Sequence, residues 1–156
     1  MRETVLRDFF LGHATPLELT ADVVGSTKKT GPLSFIVEIE DMDDEFLVTR
    51  EMLVAICDAV LSGKLPPLEL ATIGFSLLAS ESFVWDAEDV MGDVIHDWSC
   101  PEINYPLTVD NVQRFKNWLL KQEPYPVKPQ LASRPKHERP ISRTEKKSLP
   151  RRGGRA

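Results

Sequence analysis

The stretch "LATIGFSLLAS" at residues 70–80 places the tightest constraint on the fold, because it contains no charged residue. It follows Pro66 and Pro67, and proline suits the first turn of a helix. The stretch is too short to span a membrane, which takes about 20 apolar residues. A helix that is apolar all round must instead be enclosed by the rest of the chain. The sequence therefore predicts a central helix at Leu70–Ala79 with other helices packed around it.

The segment "TPLELTADVVGS" carries the clearest local helix signature. Thr15 is a candidate N-cap, Pro16 fits the first helical position, and Glu18 completes a capping box. Gly25 is a natural C-terminal stop. Apolar residues at helical spacing also indicate a helix that ends before Gly12 and a helix that begins near Thr49 and ends before Gly63. Two further helices are indicated that begin near Asp86 and Thr108.

A denser β-branched stretch, "LSFIVEIEDMDDEFLV", interrupts these helical patterns. Its alternation favours a small β-hairpin near residues 34–48, with an acidic turn between the strands. The predicted fold is mainly α, a compact helical domain of five or six helices with this hairpin as its β element. Cys57 lies inside an apolar helical pattern, so we expect a buried thiol rather than a disulfide.

Charge is divided unevenly along the chain. Residues 1–123 hold 9 Lys and Arg against 22 Asp and Glu, a net charge of −13. Residues 124–156 hold 10 Lys and Arg against 2 Glu, a net charge of +8, and six of the 12 prolines. A segment so poor in apolar residues cannot offset its chain entropy by burial. We therefore predict an acidic helical domain at 1–122 and a basic, Pro-rich, disordered tail at 123–156.

The segment "FVWDAEDVMGDVIHDWSCPEIN" carries four Asp and two Glu. As a helix from Asp86 to Trp98 it would turn its apolar residues to the core and its acids to the opposite face. Asp86 would cap that helix. Asp93 and Asp97 are four residues apart, where like charges repel, so a helix selected only for stability would avoid them. This pattern favours an acidic surface that faces a partner. The predicted partner-binding residues are Asp41, Asp43, Asp44, Glu45, Asp89, Asp93, Asp97 and Glu102.

Other kinds of site fit parts of the same pattern. Asp89, Asp93, His96 and Asp97 would share a helical face, and carboxylates with an imidazole can hold a divalent ion in a metal-dependent enzyme. The chain has no nucleophile elbow, P-loop or zinc-protease motif. We therefore expect a non-enzymatic protein with no catalytic residue, resident metal or other cofactor.

The stretch "LRDFFLGHATPLELTADV" resembles the start of the colicin-like bacterial immunity proteins. The later stretch "DAVLSGKLPPLELATIGFSLLASESFVWDAEDVMGDVI" is similar to them in style, with a helix, a short turn, a buried helix and an acidic helix. The resemblance implies a small acidic helical protein that neutralises a toxin. Acidic members of this kind bind basic nuclease toxins by mimicking the charge of nucleic acid.

These observations together predict an acidic interaction protein, most specifically an immunity protein whose partner is a basic toxin domain. A body of net charge −13 attracts basic proteins and repels nucleic acid. Nucleic acid could bind only through the basic tail, in an adaptor or regulatory protein. The N-terminal residues lack a signal-peptide pattern, so we expect a cytoplasmic protein with no membrane partner.

Overall fold

The structure is a computed structural model that describes residues 1–127. Met1–Tyr125 form one compact unit. The helices in the described residues are α1 (Glu3–Phe10), α2 (Pro16–Val24), α3 (Arg50–Leu61), α4 (Leu70–Ala79), α5 (Val90–Ser99) and α6 (Val109–Leu119). The strands are β1 (Thr27–Lys29), β2 (Phe35–Val37), β3 (Phe46–Leu47) and β4 (Phe83–Val84). The predicted mainly α domain with small β elements is confirmed.

The start of α2 has the predicted capping box. The Thr15 hydroxyl accepts a hydrogen bond from the Glu18 N–H, and the Glu18 carboxylate accepts one from the Thr15 N–H at 2.7 Å. Both bonds satisfy backbone donors that a helix leaves unpaired in its first turn. Thr108 caps α6 in the same way, because its hydroxyl accepts from the Asn111 N–H.

The centre of the domain is the packing of α4 on α5. Gly74 of α4 lies against α5 so closely that an added Cβ would come within 2.8 Å of the Ser99 nitrogen and the Trp98 Cβ. Trp98 is fully buried there. The enclosure of α4 is less complete than predicted, because Phe75 on its other face is 47% exposed. The α3 helix packs on α6, and α1 packs on α2.

The strands pair differently from the prediction. β2 pairs antiparallel with the preceding strand β1, with Thr27 opposite Val37. β3 pairs in parallel with the distant strand β4, with Phe46 opposite Phe83 and Leu47 opposite Val84. The hairpin therefore occupies residues 27–37 rather than 34–48. The acidic segment that was predicted to be the turn of this hairpin instead connects two separate sheets.

The acidic helix also begins later than predicted. Asp89, not Asp86, is the N-cap of α5, and its carboxylate accepts from the Met91 N–H at 3.2 Å. Asp86 forms a separate turn, in which its carboxylate accepts from the Glu88 N–H. Among the described residues, no helix has the length and apolar character that a membrane span requires.

The predicted tail lies mostly outside the described residues, which end at Val127. Tyr125, which we assigned to the tail, packs on Trp118 of α6 with ring centroids 5.0 Å apart. Its hydroxyl donates a hydrogen bond to the Asp97 carboxylate at 2.8 Å. The compact unit therefore extends beyond the predicted boundary at residue 122.

Candidate functional site

The β3–β4 sheet has one buried face and one exposed face. The rings of Phe46 and Phe83 meet edge to face, and both contact Phe10 of α1. Side chains alternate along a strand, so Leu47 and Val84 lie on the opposite face. Leu47 is 64% exposed and Val84 is 44% exposed. Two adjacent branched apolar side chains therefore lie together on the protein surface.

The segment leading into β3 is held firmly by buried contacts. Met42 is buried, and its N–H donates to the Glu3 carboxylate at 3.0 Å. The Met42 carbonyl accepts a hydrogen bond from the Ser82 hydroxyl at 2.6 Å. The Phe46 N–H then donates to the Ser82 carbonyl at 2.8 Å. These bonds place the acidic segment 41–45 beside the chain that enters β4.

Carboxylates border the apolar pair at both ends of the sheet. Asp43, Asp44 and Glu45 precede β3, Glu81 precedes β4, and Asp86 follows it. Asp41 and Glu81 line one cleft of about 230 Å³ next to the sheet. We name these side chains the acidic rim: Asp41, Asp43, Asp44, Glu45, Glu81 and Asp86. All are exposed, and within residues 1–127 none forms an ion pair.

Asp89 has a structural role at the far end of the same sheet. Besides capping α5, its carboxylate forms an ion pair with Arg50 at 2.9 Å. Arg50 begins α3, directly after β3. The pair thus ties the helix that follows β3 to the helix that follows β4. Because Asp89 is already engaged by a cation and a backbone N–H, it is a weaker candidate for binding a partner.

The placement of Asp97 on the exposed face was wrong. Its side chain is fully buried, and it accepts the hydrogen bond from Tyr125. Burial, the Asp97 hydrogen bond and the nearby Asp97 and Asp93 charges raise the pKa of Tyr125 above its usual range. Asp97 therefore stabilises the C-terminal end of the domain and is not presented to a partner.

Asp93 and Glu102 are exposed, as a binding surface requires. Asp93 lies one turn before Asp97 on α5, and its charge adds to the rise in the pKa of the Tyr125 phenol. Glu102 lies in the turn after α5. Both belong to α5 or to the turn after it, whereas Asp41, Asp43, Asp44 and Glu45 precede β3. The predicted residues therefore separate into the segment 41–45 and a second region on and after α5.

The structure adds surface residues that the sequence prediction did not include. Leu47 and Val84 were assigned to no site, and Glu81 and Asp86 were not counted with segment 41–45. The sequence signal for these residues is the strand-like alternation in "EFL" and "SFVWD". It places Glu45 on the same face as Leu47, and Val84 on the same face as Asp86. No local pattern shows that these two short segments are neighbours in a sheet.

The proposed metal-binding face is not assembled. Within residues 1–127, no three His, Cys, Asp or Glu side chains are grouped to hold a metal ion. His96 is exposed and lies edge to face with Trp85, while Asp97 faces Tyr125. The expected buried thiol is present at Cys57, where burial raises the pKa of the thiol far above its usual range.

No family model, curated protein or solved structure matches this chain.

Proposed function

We propose that this protein is a non-enzymatic acidic interaction protein that binds a basic protein through the β3–β4 surface. One observation carries the proposal: Leu47 and Val84 form an exposed apolar pair bordered by the acidic rim. Protein interfaces combine an apolar centre with a polar border. Because the charge of this border is negative, it favours a partner rich in Lys and Arg.

The charge arrangement favours binding over stability. The six exposed carboxylates of the acidic rim border one small sheet and repel each other, and within residues 1–127 no cation is paired with them. A basic partner relieves that repulsion and is steered toward the surface by it. The hydrogen bonds at Met42 and Ser82 fix the backbone in advance. A fixed backbone lowers the entropy cost of binding.

The most specific form of the proposal is an immunity protein that neutralises a basic, nuclease-like toxin. The support is the resemblance of the N-terminal and central segments to colicin-like immunity proteins, together with the net charge of −13 over residues 1–123. Such a protein would cover the nucleic-acid-binding surface of the toxin with carboxylates. No reaction is required of the inhibitor itself.

The test is affinity capture from the native cell lysate with the full chain as bait, at low and high salt. The decisive variant combines Asp43→Asn, Asp44→Asn and Glu45→Gln. We expect wild-type protein to capture a basic protein at low salt, to lose it at high salt, and the variant to capture little. Co-expression with the captured protein should then protect cells from its toxicity.

A matched variant controls for the loss of three charges. It combines Asp93→Asn, Glu102→Gln and Asp110→Asn, all of them exposed acids outside the acidic rim. This control should retain capture. If the control fails and the rim variant binds, the binding surface lies on the α5 side. Absence of any basic protein at low salt contradicts the proposed function.

A further inference from the structure

The outer edge of β3 is open. The Phe46 and Val48 N–H groups donate to the Ser82 and Val84 carbonyls, each at 2.8 Å. In a parallel ladder alternate residues bond to opposite sides, so the N–H and C=O of Leu47 point away from β4. No hydrogen bond to either group is made within residues 1–127. Leu47 is 64% exposed, so the residue that carries these two groups lies at the surface.

The opposite edge of the sheet is closed by the chain itself. The Phe83 N–H donates to the Ser80 hydroxyl at 3.0 Å, and the Ser82 N–H donates to the same oxygen. The turn that contains Ser80 therefore occupies the edge of β4. An added strand can pair only beside β3, where Leu47 offers both a donor and an acceptor.

The carboxylates before β3 decide which strand can be added. A second copy of this chain would bring another domain with a net charge of −13 over residues 1–123 against the first, and like-charged surfaces repel each other. Natural proteins place charges at open edges for this reason. A strand with Lys and Arg meets the same carboxylates as counter-charges. Charge complementarity therefore selects a basic partner over self-association.

We propose that an extended basic segment of the partner pairs with the edge of β3 at Leu47 and adds a third strand to the β3–β4 sheet. The inference rests on the proposed function and specifies how that surface binds. Apolar side chains on one face of the added strand would contact Leu47 beside Val84. Lys or Arg side chains at the two ends of the added strand would reach the acidic rim and the cleft between Asp41 and Glu81. Main-chain hydrogen bonds provide affinity in this mode, and alternate side chains provide specificity.

The experiment uses the isotopically labelled full chain and a short blocked peptide in which Lys and Val alternate. We expect the peptide to shift the Leu47 amide resonance and to slow its exchange with solvent. Two N-methylated peptides distinguish pairing from charge attraction. In one peptide the backbone N–H of every second residue is methylated, and in the other peptide the N–H groups of the residues between them are methylated. One of them should bind about tenfold more weakly than the other, since only one set faces β3.

The protein variants give an independent readout. Leu47→Pro removes the outward N–H and leaves both ladder bonds of β3, because these come from Phe46 and Val48. Leu47→Ala shortens the same side chain and keeps the N–H. Leu47→Pro should bind the peptide about tenfold more weakly than Leu47→Ala. Equal binding of the two variants, or of the two methylated peptides, overturns strand addition.

The remaining outcomes separate this inference from the proposed function. Wild-type protein that does not bind the peptide overturns strand addition, while the lysate capture judges the acidic surface independently. If the variant Asp43→Asn, Asp44→Asn, Glu45→Gln binds the peptide as wild type does, the carboxylates do not select the added strand and this inference fails; the proposed function fails only if the same variant also captures the basic protein as wild type does. A dimer in sedimentation that Leu47→Pro dissociates would assign the edge to a second copy and overturn the basic partner.

Discussion

Asp97 shows how one residue changes role once its surroundings are known. Its carboxylate is buried and accepts a hydrogen bond from Tyr125, whereas Asp93, one turn earlier, is exposed. Asp97→Ala removes the acceptor from a partly buried phenol, so the free energy of unfolding should fall by about 1–3 kcal/mol. Asp93→Asn should change it by less than about 0.5 kcal/mol, as at most surface positions. Urea unfolding of the two variants measures both values.

The Tyr125 phenol gives the same contact a pH dependence. Burial and the Asp97 hydrogen bond raise its pKa in the folded protein above the unfolded value of about 10. Above that pH the unfolded chain loses the proton first, so the contribution to stability is complete below about pH 10 and declines above it. The wild-type advantage over Tyr125→Phe should therefore shrink as pH rises past 10. Equal differences at about pH 8 and pH 11 in urea unfolding would contradict this.

At the scale of elements, the contact between α4 and α5 depends on Gly74. An added Cβ would meet the Trp98 Cβ and the Ser99 nitrogen at 2.8 Å, and the Ile95 oxygen at 3.0 Å. Two of these atoms belong to the α5 backbone, which can yield only if the helices separate. Gly74→Ala should therefore lower the free energy of unfolding by about 1–3 kcal/mol.

Gly25→Ala is the matched control for this helix contact. Gly25 follows α2 with a negative φ of −72°, and the nearest atom to an added Cβ is 3.5 Å away. Ala fits this backbone without strain, so the control should remain within about 0.5 kcal/mol of wild type in urea unfolding. A Gly74→Ala protein as stable as the control would mean that α4 and α5 do not pack closely.

The helices were predictable because their signals are local. Thr15, Pro16 and Glu18 define the start of α2 within four residues, and the structure places the cap there. The sheet partners of β2 and β3 were not predictable in this way. Phe46 of β3 pairs with Phe83 of β4, which is far away in sequence, and the rings of both residues pack on Phe10. Short strands have no register of their own, since tertiary packing selects their partners.

The negative charge of the candidate site was predictable from the sequence, whereas the position of its residues was predictable only in part. The four carboxylates of segment 41–45 are exposed as expected, whereas Met42 between them is buried. Asp97 was placed on the wrong face because its partner, Tyr125, was assigned to a tail without structure. A helical wheel gives the angle of a side chain around its own helix. It cannot show which chain segment covers that angle.

For the whole molecule, the division of charge predicts a salt-dependent difference in binding between the full chain and a protein of residues 1–127. Residues 1–127 carry a net charge of −13, because residues 124–127 are uncharged, whereas the full chain carries −5. Long-range attraction for the alternating Lys-Val peptide follows net charge and is screened beyond about 10 Å at 0.1 M salt. The 1–127 protein should therefore bind the peptide severalfold more tightly than the full chain at low salt.

At high salt the two affinities should converge, because only contacts at the β3–β4 surface then remain and these are common to both proteins. Fluorescence titration of the peptide over a salt series measures the convergence. The variant Asp43→Asn, Asp44→Asn, Glu45→Gln should be weaker in both backgrounds, since it removes local contacts. Tighter binding by the full chain at low salt would show instead that residues 128–156 contribute attraction of their own. The net charge of the chain would then not govern its association.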